Sequence, residues 1–388
     1  MPFSLDLMFG ATINVPFRSR LEIEKLKNPM FKHLLLFPAL AFATGAHAEE
    51  WDLASLPHYQ PRQQVSGTIR MGGASMAGLV VVWEEAFKKF QPGVRFANEL
   101  PSSDVAMAHM IVGSADIAPC GREPALEEIL GFSERYLYNV TPIIVGTGAW
   151  KTPGGSSWSP VVFVSKDNPI TRLTMKQVDG IFGAERTGGY EEGSVAFMTR
   201  DARGPGGNIR TWGQLGLTGE WEDKPIQTYG YAQTGMRHFF ELRVFQGGDK
   251  WNPNYREYAE TGTKMVPEGS GIGSHDMLVA LSHDKYGIGW SGLGHAESVP
   301  GLRPIALAKE EGGPYFETTR LNFQTHDYPL SRNVFMYLNR PPGQALDPKL
   351  KEFLLFILSE EGQYTLTHTG IHLPLTGQTL VAQRRRLD

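Results

Sequence analysis

Ser75 follows Gly72-Gly73-Ala74 on a loop between a strand and a helix, where a hydroxyl and its neighbouring amides can donate to an oxyanion. The same serine can equally serve as a plain N-cap. Ser103 precedes the next helix and has the same two readings, while the carboxylate of Asp104 beside it would repel an anion. Arg122, in Pro119-Cys120-Gly121-Arg122-Glu123-Pro124, can offer a charge-assisted fork to an oxyanion or a structural ion pair to Glu123 or another acid. Groups able to break bonds are poorly arranged. Gly204-Pro205-Gly206-Gly207 lacks the lysine and Ser/Thr of a nucleotide-cradling loop. His368 and His372 have the spacing of two metal ligands on one helix face, but Gly370 lies between them and no acidic third ligand is near. Cys120 has no histidine partner in sequence and reads as a small hydrophobe at a strand end. These groups can hold an anion or serve as ordinary caps and ion pairs, and no catalytic, metal or cofactor motif stands beside them.

The elements that must position these groups form a regular α/β pattern. Residues 67–71 read as a strand, 78–90 as a helix, 94–97 as a second strand, and 116–118 as a third. In the first helix Leu79, Trp83, Ala86, Phe87 and Phe90 share a face, with Glu84, Glu85, Lys88 and Lys89 opposite. Ser102-Ser103-Asp104 is expected to cap a helix running to about residue 112. Strand, glycine-rich turn, helix and strand in succession indicate βαβ units. A second set follows Pro153-Gly154-Gly155: a strand at 161–164, a capping box at Thr174-Met175-Lys176-Gln177, a strand at 226–228, a helix at 235–245 and a strand at 286–290. Near the end Leu350, Phe353, Leu354, Ile357 and Leu358 form one apolar helix face. The eight tryptophans read mostly as core, with lining of a cleft the alternative for Trp251 and Trp290.

The chain has 388 residues, 41% hydrophobic and 20% charged, which suits two lobes better than one core. No stretch of 18 apolar residues predicts a spanning helix. Met30-Phe31-Lys32-His33, the apolar run 34–44 and Ala46-His47-Ala48 read as a signal peptide over 30–48 with a small-x-small cleavage site. Residues 1–29 fit no part of it, so translation is expected to start at Met30, a longer leader being the alternative. Removing 1–48 reduces 37 basic and 41 acidic residues to 32 and 38, a net of −6, which disfavours nucleic acid. Residues 49–65 read as a linker, and Arg384-Arg385-Arg386 as a solvated end. The single cysteine, Cys120, forbids an internal disulfide, and none stands at the cleavage site for a lipid anchor.

Several short pieces follow one another in order along the chain. They are Lys166-Asp167-Asn168-Pro169 with the helix at 173–183, then Gly287-Ile288-Gly289-Trp290-Ser291-Gly292-Leu293-Gly294. Asp327-Tyr328-Pro329-Leu330-Ser331-Arg332 follows, then Leu346-Asp347-Pro348 through Ser359-Glu360-Glu361-Gly362-Gln363. In this order and spacing, over about 67–375, the chain resembles the phosphate-binding protein family of bacterial ABC importers. The resemblance implies an α/β, two-lobed periplasmic-binding-protein fold of type II, with mainly parallel sheets and a hinge. Lobe one would take 66–160 and 295–388, and lobe two 161–294.

By resemblance the ligand meets Ser75 and Met76, Ser103, Gly121 and Arg122, then Thr234, Gly235 and Arg237. Three family positions differ. The aspartate that accepts a proton from hydrogen phosphate is here Gly121, the second-lobe arginine is Gly230, and a helix-opening threonine is Met236. A hydrogen bond to a charged group is worth about 1.5–3 kcal/mol, so the lost arginine corresponds to roughly ten- to a hundredfold in affinity unless Arg122 or Arg237 compensates. The implied function is that of a monomeric periplasmic receptor, exported by a cleaved signal peptide, that delivers phosphate or a related oxyanion to an ABC permease in the inner membrane. The alternative is a secreted or periplasmic protein of sensor or adhesion type, with the same fold and a diverged pocket.

Overall fold

The computed structural model describes residues 53, 55–151, 158–191, 193–232, 235–259, 265–266, 270–369 and 371–388. The expected signal peptide and leader lie outside them. The first stretch runs β1 (Ser66–Gly72), α1 (Leu79–Lys88), β2 (Gly93–Glu99), α2 (Ala106–Val112), β3 (Ile117–Cys120), α3 (Leu126–Tyr136) and β4 (Thr141–Thr147). Next come β5 (Pro160–Ser165), β6 (Arg172–Thr174), α4 (Met175–Phe182), β7 (Gly189–Tyr190), β8 (Phe197–Met198), β9 (Gln227–Tyr231) and α5 (Gly235–Val244). The middle closes with β10 (Arg256–Tyr258), β11 (Met265–Val266), β12 (Ser270–Gly271), α6 (Ile272–Ser282) and β13 (Gly287–Gly292). The chain ends through α7 (Leu293–Ala296), β14 (Leu302–Pro304), β15 (Ala306–Ala308), α8 (Arg320–Gln324), β16 (Asn333–Leu338), α9 (Pro348–Ile357), α10 (Glu360–Thr369) and α11 (Gly377–Arg385).

Two five-stranded sheets organise these elements, in the orders β2-β1-β3-β16-β4 and β10-β9-β13-β5-β14. β1 pairs in parallel with β2 and β3, whereas β16 is antiparallel to both β3 and β4. In the second sheet β9 is parallel to β10 and β13, and β5 is antiparallel to β13 and β14. Each sheet thus has four strands running one way and one reversed. The reversed strands, β5 and β16, are those the chain enters directly after crossing from the other sheet. The second crossing falls between Leu330 and Asn333, not at 295 as expected, because β14 is hydrogen-bonded to β5 and Val299, Ile305 and Leu307 belong to the second core.

Periodicity explains most of the packing. Along α1, Leu79, Trp83 and Phe87 are buried as expected, and Phe87 meets Phe353 and Phe356 at ring separations of 5.2 and 5.6 Å. Each such ring contributes about 1.5–3 kcal/mol on burial. Glu84, assigned to the solvent face, is buried and accepts a hydrogen bond from Asn98 at 2.7 Å. Its carboxyl is shifted upward, chiefly by desolvation. Thr174 and Gln177 form the expected capping box on α4. α9 is buried on more than the one face foreseen, including Leu355, Phe356 and Glu352.

Two expectations about the chain ends are corrected. The linker is a docked arm: Leu56 and Tyr59 lie in the first core, and the Tyr59 hydroxyl donates to Glu352 at 2.7 Å. A polar, proline-bearing stretch gave no sign that a buried acceptor awaited it. Arg384 is not simply solvated; its guanidinium donates to Leu358 O at 2.6 Å and Leu355 O at 3.2 Å, satisfying carbonyls at the end of α9. Among the described residues no helix is long and apolar enough to cross a membrane.

Candidate functional site

In open α/β sheets ligands bind beyond the carboxyl ends of strands, where helix N-termini offer unpaired amides. The loop after β1 is tightly wound. Met76, Ala77 and Gly78 take left-handed φ values of 53°, 54° and 87° before α1 begins. Ser75 O accepts from Gly78 N at 3.1 Å, and Met76 is fully buried. Gly73 permits the approach, since an added Cβ would strike Pro119 O. Two successive non-glycine residues in this region store local strain, which is common at ligand loops.

Ser103 is not the cap. That role belongs to Ser102, whose Oγ accepts from Asp104 N at 3.2 Å. Ser103 instead accepts from Gly121 N at 3.0 Å, which ties the second loop to the turn after β3. Cys120 is buried at the strand end, with its thiol pushed up mainly by desolvation. Gly121, the position of the family aspartate, offers no side chain, and its carbonyl accepts from Arg332.

Arg122 is engaged in an ion pair that does not involve the Glu123 carboxylate. It forks onto Glu128 at 2.7 and 2.9 Å, reaches Asp104 at 3.3 Å and donates to the Glu123 carbonyl at 3.1 Å. Desolvation opposes its charge, but the Glu128 bonds outweigh that and raise its pKa. Glu128 also accepts from Ala125 N at 2.6 Å, so this pair fixes the start of α3. Glu123 is met by Arg243 at 3.1 Å.

Arg237, on α5 at the cleft, is held by acids of its own helix and of β10. It contacts Glu241 at 2.9 Å and Glu257 at 2.5 Å, and its guanidinium lies 4.9 Å from the Trp251 ring. Gly235 opens α5 and faces the first sheet. A Cβ added there would lie 3.3 Å from Asp104 Oδ1 and 3.6 Å from Arg122 Cδ. Thr234 lies outside the described residues. Trp290 does not line the cleft; it is fully buried, stacked 4.7 Å from Phe240. A side chain at Gly230, the family arginine position, would collide with Tyr255 and Trp290. The arginine is thus replaced by an aromatic block, not merely deleted.

A cleft of about 530 Å³ separates α3 from α5, lined by Asp104, Glu127, Glu128, Glu241 and Asp249 against Arg122 and Arg237. Both cations are already paired, so the cleft mouth is acid-rich. Burial, reinforced by Arg122, pushes His238 on its wall down from its ordinary range. Among the described residues no group of three or more His, Cys, Asp or Glu could hold a metal ion. His372 is buried, and the described side chains do not include His368.

Sequence reading assigned no role to Arg332, which ends the second crossover just before β16. Its backbone joins the two crossings, accepting from Gly148 N at 2.8 Å and receiving Ser159 Oγ as an acceptor for its own N–H at 3.1 Å. Its guanidinium donates to Trp158 O at 3.1 Å, to Gly121 O and to the Met236 thioether, and lies 4.9 Å from the Phe239 ring. Desolvation lowers its pKa to about 10. In sequence Arg332 closes the Asp327–Arg332 motif, which counted toward the family resemblance and not toward a site.

Two α/β lobes with reversed crossover strands and a cleft between them define a solute-binding protein of the periplasmic-binding-protein type. The PstS structure from Borrelia burgdorferi shares the fold, with a TM-score of 0.51 at 16% identity, covering 80% of this chain and 100% of that one. No family model matches the chain. The phosphate-binding protein PstS of Pseudomonas aeruginosa is 32% identical over 323 residues, 83% of this chain and 87% of that protein. A Staphylococcus epidermidis protein of the same name is 27% identical over 164 residues, 40% of this chain and 43% of that one. The chain belongs to the PstS phosphate-binding protein family.

Proposed function

We propose that this protein is an exported receptor that captures phosphate or a closely related oxyanion between its lobes and delivers it to an ABC permease. The observation that carries this reading is family membership across nearly the whole folded chain, at an identity well above that of fold likeness alone. Geometry adds support. The left-handed turn at Met76–Gly78 after Ser75, the Ser103–Gly121 pair and the start of α5 at Gly235 all lie beyond carboxyl ends of strands, where backbone amides suit an oxyanion. Arg122 and Arg237 act in this reading through structure: they hold α3 and α5 in place and present no open fork. The protein works as a monomer, and residues 30–48 direct its export. Hinge closure then desolvates the ligand.

The acid-rich cleft and the filled arginine site favour a second reading, a non-transport protein with a diverged pocket. Thermal unfolding against phosphate, sulfate, arsenate, phosphonates and phosphate esters separates the two. A ligand that binds only the folded state adds about 2.7 kcal/mol at a hundred times its dissociation constant. A shift with micromolar phosphate but not sulfate supports the receptor reading. No shift at millimolar phosphate overturns phosphate capture and leaves the second reading standing.

A further inference from the structure

Three guanidiniums cluster where the first lobe's ligand loops meet α5. Arg122 has Glu128 and Asp104, and Arg243 has Glu123. Arg332 is only 3% exposed, and its partners are two carbonyls and a thioether, with no carboxylate among them. Its Nε has no hydrogen-bond partner among the described residues. Arg303 and Arg210 also donate only to carbonyls, but both keep partial exposure to water. Burying a charge without a counter-charge is costly, and such groups are normally paired or neutralised. A guanidinium does not deprotonate readily. Glu123 favours the Arg332 charge from a distance but is already paired with Arg243 at 3.1 Å, so among the described residues no carboxylate is bonded to Arg332.

Its position is as telling as its charge. Two of its contacts, Gly121 and Met236, occupy positions where the family resemblance places ligand-holding residues, one from each lobe. Met236 takes the place of a family threonine and sets a sulfur, a weak acceptor, against the guanidinium. An oxyanion is a far stronger acceptor for the same fork. Resting on the reading of this protein as an oxyanion receptor, we propose that Arg332 supplies the counter-charge for the bound oxyanion, in place of the arginine lost at Gly230. The Met236 thioether is then a displaceable plug over the guanidinium. When the lobes part, α5 carries Met236 away; when they close on a ligand, anion oxygens occupy its place between Arg332 and the start of α5.

The test is isothermal titration with inorganic phosphate, sulfate and arsenate of the wild-type protein, Met236→Thr, Arg332→Gln, Arg332→Lys and the Met236→Thr/Arg332→Gln double variant. Losing one charged hydrogen-bonding fork corresponds to roughly ten- to a hundredfold weaker binding, expected for Arg332→Gln. Arg332→Lys keeps the charge without the planar fork and should fall between. Met236→Thr should bind several-fold more tightly, and that gain should vanish in the double variant. The loss of coupling distinguishes ligand contact from a hinge role, which unliganded melting temperatures report. Should Arg332→Gln fail to fold, Arg332→Lys and Met236→Thr still decide the matter. Wild-type phosphate binding with unchanged affinity in the Arg332 variants overturns the role of Arg332 alone. Binding of sulfate or arsenate, but not phosphate, that is lost in Arg332→Gln supports Arg332 and overturns phosphate as the ligand. No binding of any of the three anions to wild type or Met236→Thr overturns both.

Discussion

Arg122→Gln should damage stability and spare the ligand. The arginine is 5% exposed and makes two charge-assisted bonds, at 2.7 and 2.9 Å, to a Glu128 side chain that is itself only 16% exposed. Removing one member of such a pair leaves the other charge without its partner and costs about 3–5 kcal/mol. The Asp104 contact adds little, because that side chain is 63% exposed. Glu128 would keep its bond from Ala125 N, so α3 should fray without detaching. We therefore expect Arg122→Gln to lower the unfolding free energy by about 3 kcal/mol, measured by urea titration of the unliganded protein. Glu128→Gln should cost a similar amount. The double variant should cost much less than their sum, as it does when two residues act as one unit. Phosphate affinity of the folded Arg122→Gln protein should stay within about threefold of wild type, since the fork is not available to a ligand. Unchanged stability combined with a tenfold or greater loss of phosphate affinity would refute this reasoning and make Arg122 a ligand residue.

Other perturbations test other layers. Burial pushes His295 down to about 4, and burial together with Arg243 and Lys309 does the same for His326. In the unfolded chain both titrate near 6.5, so the unfolded state takes up protons first as pH falls. Stability is thus fully present above pH 6.5 and lost between 6.5 and 4, by about 2 kcal/mol per histidine at pH 5. Urea midpoints at pH 7.5 and 5 should differ accordingly, and His295→Gln should remove about half of the difference. Gly230→Ala should destabilise by about 1–3 kcal/mol, because its Cβ would overlap Tyr255 and Trp290; a neutral result in urea unfolding would show that the aromatic block can yield. Ala77→Gly should stabilise by up to about 1 kcal/mol by relieving a left-handed residue at φ 54°, and a clear loss would mean that the turn is not strained.

Local features were readable from residue types because local physics decides them. The capping box at Thr174–Gln177 and the apolar spacing of Leu79, Trp83 and Phe87 depend on neighbours within four residues, and the structure contains both. The ordered motifs also led to the family and its two-lobed fold. Glu84 misled the pattern because periodicity assigns a face without knowing which strand will cover it; Asn98 on β2 supplies a partner that makes burial tolerable. The arm at Leu56 and Tyr59 was opaque for the same reason, since Glu352 is nearly three hundred residues away in sequence.

The sequence by itself determined that this chain builds strand–loop–helix units with hydroxyls and amides at their junctions, and which family positions it lacks. Only the tertiary structure decided what each charge is for. It spends Arg122 on Glu128 and Arg237 on Glu241 and Glu257, fills the space beside Gly230 with Tyr255 and Trp290, and leaves Arg332 buried with no acid bonded to it among the described residues. The physical reason is that a guanidinium's role follows from the carboxylate or the void it meets, and those come from chain segments that only folding brings together.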